Sequence, residues 1–139
     1  MPSAFADSDV IISSLLSDRG AAFLLLNQNK NTFFISSFSV SELKIVVGRL
    51  GIEKQKLDDL IKKRLKVLDL KENNKKIKEK YGSYVFDEND AHILAGAVKS
   101  EVKFLLTYNL KHFKKEKIKE EFDLLIFTPA EFLQYLRSQ

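Results

Sequence analysis

The chain has 139 residues, 45% apolar and 30% charged, with a net charge of +4 and no cysteine. That length predicts one domain, residues 1–139, able to bury about two-thirds of the surface its unfolded form exposes. The composition excludes a disordered or fibrous chain, a disulfide framework and thiol-ligated zinc; with no membrane-spanning run and no signal-peptide pattern, a cytoplasmic protein is expected.

Ser3 to Ala6 reads as a short first strand that ends in Asp7-Ser8-Asp9. Val10 to Leu16 gives a helical pattern, broken by Asp18-Arg19-Gly20, and Ala21 to Leu26 a second short helix. Thr32 to Ile35, β-branched and aromatic, predicts a strand. Ser39 and Glu42 read as a capping box opening the next helix, with Leu43, Val46, Val47 and Leu50 on its inner face and Gly51 at its end. Ile52 to Lys66 predicts a basic amphipathic helix, and Val67 to Leu70 a third strand. Residues 71–81 are mostly charge around Ile77 and read as a solvated helix or loop. Ala91, Leu94, Ala95 and Val98 then mark a buried helix face, followed by the strand Phe104 to Leu106, a basic segment over 111–121 and a last strand, Leu124 to Phe127. Thr128, Pro129 and Glu131 have the spacing of an N-cap, a first-turn proline and a third-position acid, so a helix closes the chain. Strands alternating with helices predict a three-layer α/β domain whose parallel sheet of about five strands is flanked by helices.

Asp7, Asp9, Glu42, Asp87 and Asp90 all stand where a helix begins. Helix N-termini favour carboxylates for their own sake, because the first N–H groups lack partners and the macrodipole is positive there. Their distribution suggests more. Asp7 follows the first strand directly, Glu42 lies one turn into the helix after the second, Asp90 opens the helix before the fourth, and Thr107 and Asn109 end that strand. With the first strand central, these groups meet at the carboxyl edge of the sheet, where open parallel sheets place their ligands. Carboxylates gathered there repel unless a cation compensates, and oxygen donors favour Mg²⁺ or Mn²⁺.

Three stretches carry a family resemblance: ADSDVIISSLLSDRG at 6–20, SELKIVVGRL at 41–50, and DENDAHILAGAV at 87–98 with the strand end FLLTYNLKHF. Together they resemble PIN-domain nucleases over residues 3 to 127, with the VapC-like toxins of toxin–antitoxin pairs as the nearest branch. The resemblance implies a metal-dependent ribonuclease leaving 5′-phosphate and 3′-hydroxyl ends. In it Asp7, Glu42 and Asp90 match the three acidic metal ligands, and Asn109 matches a fourth catalytic position that is often Asp. Thr107 and Asp9 match supporting polar positions, with Asp87 beside them. An antitoxin protein and a homodimer are the implied partners. A PIN-fold module that binds RNA or protein without cutting is the alternative.

Charge is uneven along the chain: residues 53–80 carry eleven Lys or Arg against six acids. Such a segment suits a polyanion as well as a solvated helix face. Lys62, Lys63, Arg64 and Lys66 are the expected contacts to an RNA backbone. A haloacid-dehalogenase phosphatase reading fails for want of a second acidic pair after the Thr107 strand, and a receiver-domain reading of the Asp69 strand lacks the late lysine. His92 reads as a helix-surface residue and His112 as a contact beside Phe113. The eleven Phe residues read as mostly core.

Overall fold

A computed structural model describes residues 2–27 and 30–139. Its strands are β1 (Ser3–Ala6), β2 (Thr32–Ser36), β3 (Leu65–Leu68), β4 (Phe104–Leu106) and β5 (Leu125–Phe127). They form one sheet in the order β3-β2-β1-β4-β5, every neighbouring pair parallel. Side chains alternate between the two faces, as the period of a strand demands. Ala4, Ala6, Phe33, Ile35, Phe104 and Leu106 join the core on one face. Phe5, Leu105 and Ile126 join the core on the other. Burying both faces is what makes these strands short apolar runs rather than half-polar ones.

The first face is covered by α1 (Ser8–Leu16), α2 (Ala21–Asn27), α3 (Ser37–Leu50), α4 (Lys54–Arg64) and α8 (Pro129–Arg137). The second is covered by α5 (Asn74–Tyr81), α6 (Ala91–Lys99) and α7 (Lys115–Phe122). This is the expected three-layer α/β architecture. One close approach fixes the position of α6. A Cβ at Gly96 would overlap the ring of the fully buried Phe5, so α6 rests on β1 at a depth that only glycine permits. Asp90, immediately before α6, is thereby held beside the end of β1.

Three local expectations change, and one left open is decided. The cap of α3 is Ser36, whose hydroxyl accepts from the Ser39 N–H at 3.1 Å; Ser39 is buried inside the helix, and Glu42 caps nothing. Leu50 keeps the helical spacing of Leu43 and Val47 but is exposed, as the last residue of α3 before the left-handed Gly51. The third strand starts at Leu65 rather than Val67, since Leu65 leaves the helix to pair with Phe33. Residues 74–81 are a helix, capped by Asn73 and anchored by buried Ile77 and Tyr81. The closing capping box is present as expected: Thr128 N–H donates to Glu131 Oε1 at 2.9 Å and Glu131 N–H to Thr128 Oγ1 at 3.2 Å. Among the described residues no helix is long and apolar enough to cross a membrane.

Candidate active site

From β1 the chain proceeds outward through β2 to β3, then returns across the sheet to place β4 on the other side of β1. The crevice at the carboxyl ends of β1 and β4 is therefore the switch point where open α/β sheets bind ligands. Register brings the polar ends together there. Ala6 pairs with Leu106, so the next residues, Asp7 and Thr107, stand side by side. The Asp7 N–H donates to the Leu106 carbonyl at 2.9 Å, extending the ladder by one step.

Asp7 is buried, at 7% exposure. Its Oδ1 accepts from the Ser8 N–H at 2.7 Å, the helix-capping role expected of it, and its Oδ2 accepts from the Thr107 hydroxyl at 2.9 Å. Burial and the neighbouring Asp9 carboxylate push its pKa from 3.8 up to about 7, against the pull of those two hydrogen bonds. Asp90 adds to the rise.

Asp9 is half-buried on the first turn of α1. Its Oδ2 accepts from the Tyr108 N–H at 2.9 Å and from the Asn109 side-chain amide at 3.0 Å. Its Oδ1 is buried and has no hydrogen-bond partner. Burial raises its pKa despite the Tyr108 and Thr107 hydrogen bonds. Thr107 is fully buried and serves as the hub: its hydroxyl donates to Asp7 and accepts from the Asn109 N–H at 3.0 Å.

Asp90 ends a short 3-10 turn over Glu88–Asp90, and its side chain makes no capping bond to α6. Burial raises its pKa, opposed first by His112, whose Nδ1 lies 3.3 Å from Asp90 Oδ2. Asp87 behaves differently. It is exposed and caps that turn, accepting from the Asn89 N–H at 3.0 Å, so the capping role accounts for it. Glu42, on α3, reaches Nε2 of His92 at 3.0 Å. His92 is only 12% exposed, packed against Phe38, with its Nδ1 buried and without a partner.

The structure thus gathers Asp7, Asp9, Thr107 and Asn109 into one hydrogen-bonded group. Asp90 and Glu42 each face an imidazole. Among the described residues, no three His, Asp or Glu side chains are drawn into a single ion-sized cluster. Lys62, Lys63 and Arg64 lie elsewhere. They end α4 just before Leu65, which enters the sheet level with Phe33, so they flank the amino edge, opposite the acids. Lys66 is exposed on the edge strand β3.

Both histidines went unrecognised in sequence as parts of this site. The signal available was their place: His92 follows Asp90 by two residues and His112 follows Asn109 by three, and the chain has no others. Tyr108 was equally invisible, because it acts through its backbone.

The family model of the PIN domain matches residues 3–111. The chain belongs to the PIN domain family. Solved structures of similar fold include VapBC2 from Rickettsia felis bound to a DNA fragment from its promoter, with 18% identity and a TM-score of 0.63 over 91% of this chain and 98% of that one. A toxin–antitoxin complex from Klebsiella pneumoniae shows 19% identity and a TM-score of 0.63 over 91% and 97%. VapBC-1 from nontypeable Haemophilus influenzae shows 19% identity and a TM-score of 0.59 over 92% and 98%. No curated protein matches the sequence.

Proposed function

We propose that this chain is a divalent-metal-dependent ribonuclease, the toxin component of a toxin–antitoxin pair, working at the carboxyl edge between β1 and β4. Family membership supports nuclease chemistry in general, and the likeness to toxin–antitoxin complexes supports an antitoxin partner. A homodimer belongs to the same proposal. The observation that carries the reading is Asp7, a buried carboxylate with a second carboxylate beside it and a pKa of about 7. Such a pair is costly without a compensating positive charge.

The donors fit a hard cation: all are oxygens, and Asp9 Oδ1 is a buried acceptor with nothing to accept from. Asp7, Glu42 and Asp90 would hold Mg²⁺ or Mn²⁺, with Asp9 in support. A bound ion would lower the pKa of a water at the site and offset charge developing on the phosphate. The protein's own groups do the positioning. Thr107 fixes the Asp7 carboxylate by donating to Oδ2, while Tyr108 N–H and the Asn109 amide fix Asp9. His112 and His92 stand against Asp90 and Glu42, 3.3 Å and 3.0 Å away, where they orient the two carboxylates. Asn109 contributes no charge, and its amide is spent as a donor to Asp9.

That last contact favours a second reading, a PIN-fold module that binds RNA or protein without cutting. In this reading the imidazoles and the Asn109 amide replace an ion as counter-groups to the acids. Incubation of single-stranded RNA with the protein in Mn²⁺ and in EDTA separates the two. Cleavage in Mn²⁺ that EDTA abolishes is expected, and RNA bound but uncut in both conditions would establish the second reading.

A further inference from the structure

Phe86 is the most exposed large apolar side chain in the described structure, at 70%. It does not sit on a loose loop. Its N–H donates to the His112 carbonyl at 3.0 Å, Val85 pairs antiparallel with Phe113, and the Lys114 N–H donates to the Tyr84 carbonyl at 3.0 Å. Val85 and Phe113 are buried beneath this bridge, so the Phe86 ring is held outward by a fixed backbone. Lys114 Nζ stands over the ring, 5.3 Å from its centroid. One bridge residue faces the acids directly: the His112 side chain reaches Asp90 at 3.3 Å.

Keeping a large aromatic ring in water forgoes the stabilisation its burial would give. Here the open ring is joined to positive charge. Residues 111–119 hold five lysines against the single Glu116, and a second pair repeats the pattern, with Lys117 Nζ 4.7 Å from the Tyr84 ring centroid. A flat apolar face with an ammonium group beside it complements a nucleotide, which presents a stacking base and an anionic phosphate on one flexible unit. A protein partner would use the ring but has no general need for the lysine run around it.

We propose that Phe86 and Lys114 form a stacking shelf for a nucleobase of a single strand lying next to the acidic site. The shelf rests on the ribonuclease reading of that site for its biological meaning. Its role is substrate positioning: Phe86 takes the base, and Lys114 takes the adjacent phosphate. Base stacking on an aromatic side chain is tolerant of sequence, because every base has a π-face.

The test uses the full chain carrying Asp90→Asn, so that bound RNA stays intact, and measures fluorescence anisotropy in Mg²⁺. The probes are fluorescein-labelled oligoadenylate and an abasic ribose-phosphate strand of equal length. Adding Phe86→Ala should weaken oligoadenylate binding by about 5- to 100-fold and leave the abasic strand unchanged, with Phe86→Trp restoring affinity. Lys114→Gln should weaken both probes and reduce the salt slope by about 0.7. Unchanged oligoadenylate affinity in Phe86→Ala overturns the shelf and leaves the ring to a protein partner. An equal loss on the abasic strand, or no binding of either probe by the parent, overturns it too. Cleavage by the unmutated chain is scored separately. Loss of Mn²⁺-dependent cleavage with the stacking effect intact removes the nuclease reading alone, and the converse removes the shelf alone.

Discussion

At the carboxyl edge of the sheet, Asp7, Asp9 and Asp90 are drawn partly or wholly out of water, and their pKa values rise for that reason first. At the amino edge, Arg19, Lys56, Lys63 and Arg64 line an open cleft of about 730 Å³ together with Asp18 and Asp59. Both regions concentrate charge, but only one of them buries it. Hydrated charges cost little to hold together, and salt screens them. Buried like charges destabilise the fold, and a chain that keeps them has a use for the destabilised state. Burial therefore separates the two edges better than any count of charges, and the α4 part of the basic run, with Lys56, Lys63 and Arg64, belongs to the less committed edge.

Removing the buried charge should break this contrast most sharply. Asp7 has its pKa raised in the folded state, so the folded chain holds a proton that the unfolded chain releases. Stability from this group is full below pH 3.8 and is lost as pH rises toward about 7. Asp7→Asn keeps an oxygen for the Ser8 N–H and an amide to face the Thr107 hydroxyl. It should flatten that pH dependence and gain stability at pH 7, on the order of 4 kcal/mol at most by linkage. Urea denaturation at pH 4 and pH 7 measures it; a mutant weaker than the parent at both pH values would leave Asp7 as a cap and no more. Cleavage should fall in the same mutant by at least about a hundredfold, since even groups behind metal ligands cost roughly 10- to 100-fold.

A cation should act on the carboxyl edge alone. Mn²⁺ at a hundredfold excess over its dissociation constant should stabilise the folded chain by about 2.7 kcal/mol, seen as a rise in melting temperature. Asp90→Asn should melt no lower than the parent without metal and lose most of the response. An intact response together with a loss of about 1 kcal/mol in the metal-free mutant would return Asp90 to a purely structural role.

Asn109 sharpens the comparison from within the acidic edge. Asn109→Asp replaces a donor to Asp9 by a third carboxylate, so the metal-free chain should lose about 1.5 kcal/mol while Mn²⁺ binds more tightly. Calorimetric titration reads both affinity and stoichiometry; no change in either would place Asn109 outside the ion's reach. The smallest effect belongs to the other edge. Replacing Lys62, Lys63 and Arg64 with Gln should move stability by no more than about 0.5 kcal/mol and leave the Mn²⁺ response as it was. A flattened salt dependence of RNA binding in that mutant would show that the strand continues across the molecule to the amino edge.

The layered fold was legible because each strand is a short apolar run between turn residues and each helix carries a face at helical spacing. Leu65 shows where this reasoning stops. It follows Leu57, Leu60 and Ile61 at helical spacing yet is equally at home in a strand, and only pairing with Phe33 decides between them. Ser39 reads as the cap because its spacing to Glu42 fits a capping box, and only the end of β2 moves the cap three residues back to Ser36. In the site, Asp7, Asp9, Thr107 and Asn109 could be found by their position at strand ends. The pairs Glu42–His92 and Asp90–His112 could not, because each joins separate elements and depends on how deeply α6 sits on Phe5. Phe86 was hidden for another reason: among eleven phenylalanines, composition cannot single out the one left in water.

The hydrogen bond between Thr107 and Asp7 spans 100 residues of sequence. No local segment can make it, and β1 reaches its partner only after β4 has been synthesised and docked. Contacts of such long range are late and slow to form. A nascent chain halted before Leu106 carries Asp7, Asp9, Glu42 and Asp90 in its sequence but lacks Thr107 to join the first two. Asp7 and Asp9 are neighbours from the start, but the hydrogen bonds that fix them and the burial that raises their pKa values await the last strands. Ribosome-arrested chains extended at the carboxyl end by a flexible linker, with β4 and β5 either inside or beyond the exit tunnel, test this, since Mn²⁺ should protect only the latter from protease.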